Sequence, residues 1–295
     1  MNESIEFSLQ QQVRGLGAVF NPTVNEATRA IYRDALDLSK VGEEDVNVPY
    51  GELPRQCLDV YHPRAASRGL VVFVHGGGFI GGDKNSDGAF YVNIGRWLAR
   101  NGWTGVLPNY RLAPAVTWPA GTQDVAAVMR WVRENTSHSA DAKAPVVLWG
   151  QSAGATHVAS WLFDADARGD GPASASGVML MSGFYDAVAP LAGGPGMYFG
   201  ADERLYAQRS PLTHVAPTTI PIWMAVAELD PGEIAQHTYK LASAVTIANG
   251  RSPAFHFFRG HNHVSTVQSL GSPQSDAGAE ILRALESICH AQPAK

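Results

Sequence analysis

Ser152 stands in GQSAG (150–154), where the apolar run PVVLWG stops at a glycine and small residues follow. A serine hydroxyl is a weak nucleophile at neutral pH. It attacks a carbonyl only when a base takes its proton and a third group orients that base. Candidates for both lie downstream, where further apolar runs end: Asp230 in AVAELDPGE, and His261 and His263 in FFRGHNHVS. Glu228 is a rival acid, but Asp230 is preferred because it stands at the end of its run. The order Ser, Asp, His is one of the chain orders in which such triads occur. On residue types alone, either histidine could be the base.

Attack on a carbonyl builds negative charge on its oxygen, and backbone amides in a turn free of side chains can receive it. HGGGFIGG (75–82) is such a turn and follows the apolar run LVVFV. It offers the amides of Gly77 and Gly78, with the amide of Ala153 beside the serine and Gly76 shaping the loop.

These residues need a frame. Strand-like runs occur at 46–50, 56–62, 70–76, 104–110, 145–150, 177–183, 221–229 and 254–260. From the third onward, most are separated by helix-like segments, with Val125, Val128, Met129 and Val132 on one predicted face and Ile281, Leu285 and Ile288 on another. Continuous apolar strands alternating with such helices predict an α/β fold, a mostly parallel sheet with helices on both faces. In such sheets ligands sit beyond the carboxyl ends of the strands, where Ser152, Asp230, His75, His261 and His263 all fall. Residues 1–44 and the Gly, Pro and aromatic-rich stretch 184–216 stand outside the alternation and are expected to cover the sheet's edge.

Composition narrows the class. With 295 residues, 45% of them hydrophobic and 17% charged, the chain is long enough for one large core and reads as a single domain over 1–295. A net charge of -5 offers nothing to phosphate backbones or anionic membranes, so neither nucleic acid nor membrane is an expected partner. The two cysteines, Cys57 and Cys289, lack any metal-type spacing, so no metal site is expected. The opening MNESIEFSLQ lacks the basic and apolar regions of a secretory signal, and a cytoplasmic protein is expected.

Taken together, HGGGF, YRLAP (110–114), WPA…D (118–124), GQSAG and ELDP occur in the order that resembles the α/β-hydrolase superfamily, and within it the hormone-sensitive-lipase-like bacterial carboxylesterases. The likeness covers roughly residues 50 to 290. It implies the α/β-hydrolase fold, with an eight-stranded sheet and a small helical cap formed partly by the N-terminus. It assigns Ser152 as nucleophile, Asp230 as acid, and Gly77, Gly78 and Ala153 as oxyanion donors. His263, which precedes VS as the family's base precedes its helix, becomes the favoured base, and His261 a brace of its loop. Two departures stand out: Gln151 occupies a position that is often acidic in the family, and GHNHVS replaces the usual His-Gly-Phe. The second is similar to related acyl-hydrolases and arylformamidases.

The activity implied is hydrolysis of small to medium acyl esters through an acyl-serine intermediate, without a cofactor, by a monomer or homodimer. The alternatives are an arylformamidase-like amide hydrolase with the same triad, or a ligand-binding module resembling the gibberellin receptor, which lacks the histidine. Phe184, Tyr185, Tyr198 and Phe199 are read as substrate-binding, with cap packing as the alternative. His75 reads as a brace of the glycine turn. His157 and His256 read as hydrogen-bonded core histidines, and Asp124, Tyr110 and Arg111 as a structural polar network.

Overall fold

The structure, a computed structural model, describes residues 2–136, 144–169, 174–273 and 275–290, with side chains from residue 9 onward. The remaining positions of the expected 1–295 domain lie outside the described residues.

The strands are β1 (Glu44–Pro49), β2 (Cys57–Tyr61), β3 (Leu70–Val74), β4 (Thr104–Pro108), β5 (Val146–Gln151), β6 (Gly177–Met181), β7 (Ile222–Leu229) and β8 (Ala254–Asn262). They form one eight-stranded sheet in the order β1-β2-β4-β3-β5-β6-β7-β8. Only β2 runs against its neighbours; every pair from β3 and β4 to β8 is parallel.

Side chains alternate across a strand, so a strand buried on both faces must be apolar at every position. The strand β3 shows this: Val72 and Val74 enter one core, Val71 and Phe73 the other. In β5, Leu148 joins the first core, while Val147 and Trp149 join the second. Truncating a fully buried leucine such as Leu148 to alanine costs about 2–5 kcal/mol.

The helices, in chain order, are α1 (Asn2–Gly15), α2 (Pro22–Arg33), α3 (Val92–Arg100), α4 (Ala120–Thr136), α5 (Ala153–Phe163), α6 (Ala165–Arg168), α7 (Gly193–Phe199), α8 (Tyr206–Arg209), α9 (Gly232–Asn249), α10 (Ser265–Gln268) and α11 (Asp276–His290). The predicted faces hold. Val125, Val128, Met129 and Val132 of α4 pack with α5 in the first core, whereas Ile281, Leu285 and Ile288 of α11 pack with α3 in the second. Among the described residues, no helix is long and apolar enough to cross a membrane.

Strand ends depart from the apolar runs in an informative way. The runs 70–76, 104–110 and 177–183 each overrun their strand by two residues, because the chain turns there and presents His75, Tyr110 and Ser182. At the other extreme, β8 continues through His261 to Asn262 past an irregularity in its pairing with β7, with Gly260 at φ 75. His261 is therefore a strand residue rather than a loop residue.

Candidate active site

The turn from β5 into α5 places Ser152 at φ 54 and ψ -126, a conformation a serine holds only when its surroundings impose it. Its flanks explain the glycines: a Cβ on Gly150 would meet Ala155, and one on Gly154 would collide with the carbonyl oxygens of Val74 and His75. The Ser152 amide donates to the Met181 carbonyl at 2.9 Å, and the Ala155 amide donates to the carbonyl of Ser152 at 2.9 Å. The nucleophile candidate is thus fixed through its own backbone and remains partly exposed.

Register brings the other two groups together. Leu229 of β7 lies beside Asn262 of β8, so Asp230 and His263 leave adjacent strands side by side. His263 Nδ1 lies 2.7 Å from Asp230 Oδ1, and its Nε2 lies 2.8 Å from Ser152 Oγ. Both Asp230 and His263 are buried. Glu228, the rival acid, points elsewhere: it accepts the Gly260 amide at 2.6 Å and pairs with Arg14 at 2.9 Å. Those two donors, the amide first, hold its carboxyl below the ordinary range.

The glycine turn stands against the serine. A Cβ on Gly76 would crowd Ser152 and Gln151, and Gly77 and Gly78 have φ of 143 and 58, so their amides sit in a backbone that other residues rarely adopt. The turn is anchored from behind. Tyr110 donates its hydroxyl to the His75 carbonyl at 3.0 Å, and Arg55 donates to the carbonyls of Gly82 and Tyr110 at 2.5 and 2.7 Å. Asp124 holds the next residue, accepting from the Arg111 amide at 2.7 Å and the Arg111 Nε at 2.9 Å. His75 itself is buried against the Tyr110 ring, with Nδ1 2.7 Å from the Gly76 carbonyl, and burial pushes its pKa down to about 4.

His157 differs from the expected hydrogen-bonded core histidine. It is core, but neither ring nitrogen has a hydrogen-bond partner among the described residues; Phe79, Tyr110 and Tyr198 surround it, and burial lowers its pKa to about 3. His256, half-buried, faces Glu280 at 3.2 Å. His261 lies between Ser265 Oγ at 3.0 Å and Asp276 Oδ1 at 2.9 Å, turned away from Ser152.

The aromatic quartet divides by exposure. Tyr185, Tyr198 and Phe199 are essentially without exposed surface: Tyr185 belongs to the first core, and the other two pack with Phe79 and Ala153. Phe184, partly exposed and 4.4 Å from His237 between ring centroids, keeps a surface for a ligand. The stretch that carries them nevertheless covers the turn, since Gly194 in α7 presses on the Gly78 carbonyl so closely that no side chain fits between.

Three residues that the sequence did not single out for these contacts complete the site. Ser182, at φ 49 just after β6, donates to Asp230 Oδ2 at 2.6 Å, and the Ala227 amide donates to the same oxygen at 2.9 Å. Gln151 donates from Nε2 to the His263 carbonyl at 2.9 Å, tying the serine strand to the histidine loop. Phe20, between α1 and α2, lays its ring on His263 with centroids 4.3 Å apart. A serine ending the apolar run 177–183 was a visible signal for the first; the other two contacts join residues far apart in sequence.

The prolyl oligopeptidase family matches residues 116–286, and BD-FAE matches residues 58–163. The para-nitrobenzyl esterase of Bacillus subtilis is 32% identical over 166 residues, 47% of this chain and 33% of that protein, so the chain spans about a third of that relative's length. The kynurenine formamidase of Danio rerio is 27% identical over 233 residues, 76% of each chain. The Pyrobaculum calidifontis esterase structure superposes with a TM-score of 0.72 at 21% identity, covering 96% of this chain and 98% of that one, which shows the shared fold. With one family matched over more than half of its residues and an eight-stranded, mostly parallel sheet of the esterase type, the chain belongs to the prolyl oligopeptidase family within the α/β-hydrolase superfamily.

Proposed function

We propose that the protein is a serine carboxylesterase that hydrolyses small to medium acyl esters in two steps. The observation that carries this reading is the unbroken chain of contacts from Asp230 Oδ1 through His263 to Ser152 Oγ, at 2.7 and 2.8 Å, beside the glycine turn. In the first step His263 Nε2 takes the Ser152 proton as Oγ attacks the acyl carbon. The amides of Gly77, Gly78 and Ala153 receive the developing oxyanion, and the alcohol leaves with the proton from Nε2. In the second step water repeats the sequence on the acyl-serine. Asp230 keeps Nδ1–H oriented and stabilises the imidazolium, while Ser182 and the Ala227 amide fix Asp230. Phe184 is the member of the quartet proposed to meet substrate.

All these groups come from one chain, so the reading needs no second subunit. We take 1–295 as one domain, with 1–44 and 184–216 as its cap. A cytoplasmic setting accords with Cys57 and Cys289, which are free thiols.

The second reading, hydrolysis of an arylformamide by the same groups, is favoured by one observation: the kynurenine formamidase match spans three quarters of both chains. The test is a panel of p-nitrophenyl esters from acetate to dodecanoate beside N-formylaniline, for the parent and Ser152→Ala. Acetate or butyrate esters should be the best substrates, with Ser152→Ala inactive. A preference for the formamide would select the second reading, and turnover by Ser152→Ala would reject both.

A further inference from the structure

Phe20 is a large apolar side chain left 38% exposed, yet it lies on the imidazole of a buried histidine, with ring centroids 4.3 Å apart and planes at 57°. Its position is built by contacts on both sides. Before it, Val13 is fully buried, Arg14 pairs with Glu228 at 2.9 Å and Gln10 donates to Asp276 at 3.0 Å. After it, Asn21 caps α2 by accepting the Val24 amide at 2.9 Å. Beyond the cap, Thr28 accepts from Asn262 at 2.8 Å and Asn25 from Gln268 at 2.9 Å. The second helix therefore grips the segment that carries His263 while α1 holds to β7 and α11 on either side of it, and the residue between the helices is held over its ring.

In acyl transfer, the base that deprotonates the serine must also protonate the departing atom, so that atom has to come within hydrogen-bond reach of His263 Nε2. The scissile bond from the acyl carbon breaks as the proton moves from Nε2 to the leaving oxygen or nitrogen. The substituent on that atom must then extend past the imidazole, whereas the acyl chain stays on the serine's side of the bond. A ring already packed on the imidazole meets the leaving group and not the acyl chain. Aromatic rings favour tilted and offset contacts with other flat rings at centroid distances such as this one.

Resting on the esterase reading above, we propose that Phe20 is the leaving-group wall of the site, and that the substrate class is esters, or formamides, whose leaving group is aromatic. The N-terminal segment is then a specificity element that acts before the acyl-enzyme forms. Once the aromatic product has left, Phe20 has nothing to hold, and deacylation should not depend on it.

The test compares acetates of phenol and of 2,2,2-trifluoroethanol in the parent, Phe20→Ala, Phe20→Leu and Val19→Ala, whose side chain is similarly exposed. Comparing each variant with the parent cancels the intrinsic reactivity of the two esters. The aryl-to-alkyl ratio of kcat/KM should fall roughly tenfold in Phe20→Ala, fall less in Phe20→Leu and stay unchanged in Val19→Ala. The deacylation rate, measured by single turnover, should match the parent. An unchanged ratio in Phe20→Ala overturns the proposal, and so does an equal fall for both esters, which would make Phe20 a shield of His263. If the parent hydrolyses neither ester and resists a fluorophosphonate, the esterase reading fails together with the proposal.

Discussion

Among the described residues are two sets of serine, histidine and aspartate in which the imidazole bridges the other two. In one, His263 joins Asp230 at 2.7 Å to Ser152 at 2.8 Å; in the other, His261 joins Asp276 at 2.9 Å to Ser265 at 3.0 Å. Both histidines are 1% exposed, so neither composition nor burial separates the sets. The serines do. Ser152 is partly exposed on a strained turn beside the glycine loop, whereas Ser265 is fully buried and its hydroxyl is engaged with the Asn262 backbone. The nitrogens are also reversed: His261 offers Nδ1 to its serine and Nε2 to its carboxylate. Asp230 is buried with two further donors, while the Asp276 side chain is 53% exposed at the start of α11. On the proposed reading, a triad is thus defined by where its serine faces and what surrounds it, and the second set is a clasp that closes β8 onto α10 and α11.

Substituting the histidines should break the equivalence most strongly. His263→Ala should lower kcat by about three to five orders of magnitude. His261→Ala should reduce kcat less than about tenfold while lowering the midpoint by several degrees, since a buried clasp is lost. Steady-state kinetics and calorimetry on both variants check this, and the reverse pattern would exchange the two assignments.

A smaller effect distinguishes the carboxylates. Ser182→Ala removes a short hydroxyl-to-carboxylate bond from Asp230 and should lower kcat about tenfold at nearly constant KM. Removing the corresponding support of Asp276 by Gln10→Ala should leave kcat within about twofold, because that carboxylate serves only the clasp.

Acid titration should reveal a third kind of histidine, one held neutral by burial. His75 and His157 are buried neutral, with pKa values lowered to about 4 and about 3. Between these values and the ordinary pKa near 6.5, the unfolded chain binds more protons than the folded one, so stability falls as pH drops through that window and levels off below it. His157→Phe should flatten the dependence by about 2–5 kcal/mol between pH 6.5 and 3, measured by urea unfolding at a series of pH values.

The sheet was legible in the sequence because strands covered on both faces must be apolar throughout, and the runs at 70–76, 145–150 and 221–229 are. Ser152 was legible because the turn that exposes it demands glycines on both sides. The choice between the histidines was open on residue types and favoured His263 only through the resemblance, since the contact itself depends on the irregular pairing that carries β8 through Asn262 and puts His263, not His261, next to Asp230. The burial of Tyr185, Tyr198 and Phe199 was not legible, because an aromatic segment near a site has the same composition whether its rings face a ligand or one another. Phe20 on His263 and Gln151 on the histidine carbonyl join residues that only the folded chain makes neighbours.

The most direct test of the difference between the two serines is covalent. A fluorophosphonate incubated with the folded protein, followed by proteolysis and mass spectrometry, should place one adduct on Ser152, with Ser265 unmodified and Ser152→Ala unlabelled. Labelling of Ser265, or labelling that survives in Ser152→Ala, would contradict the account.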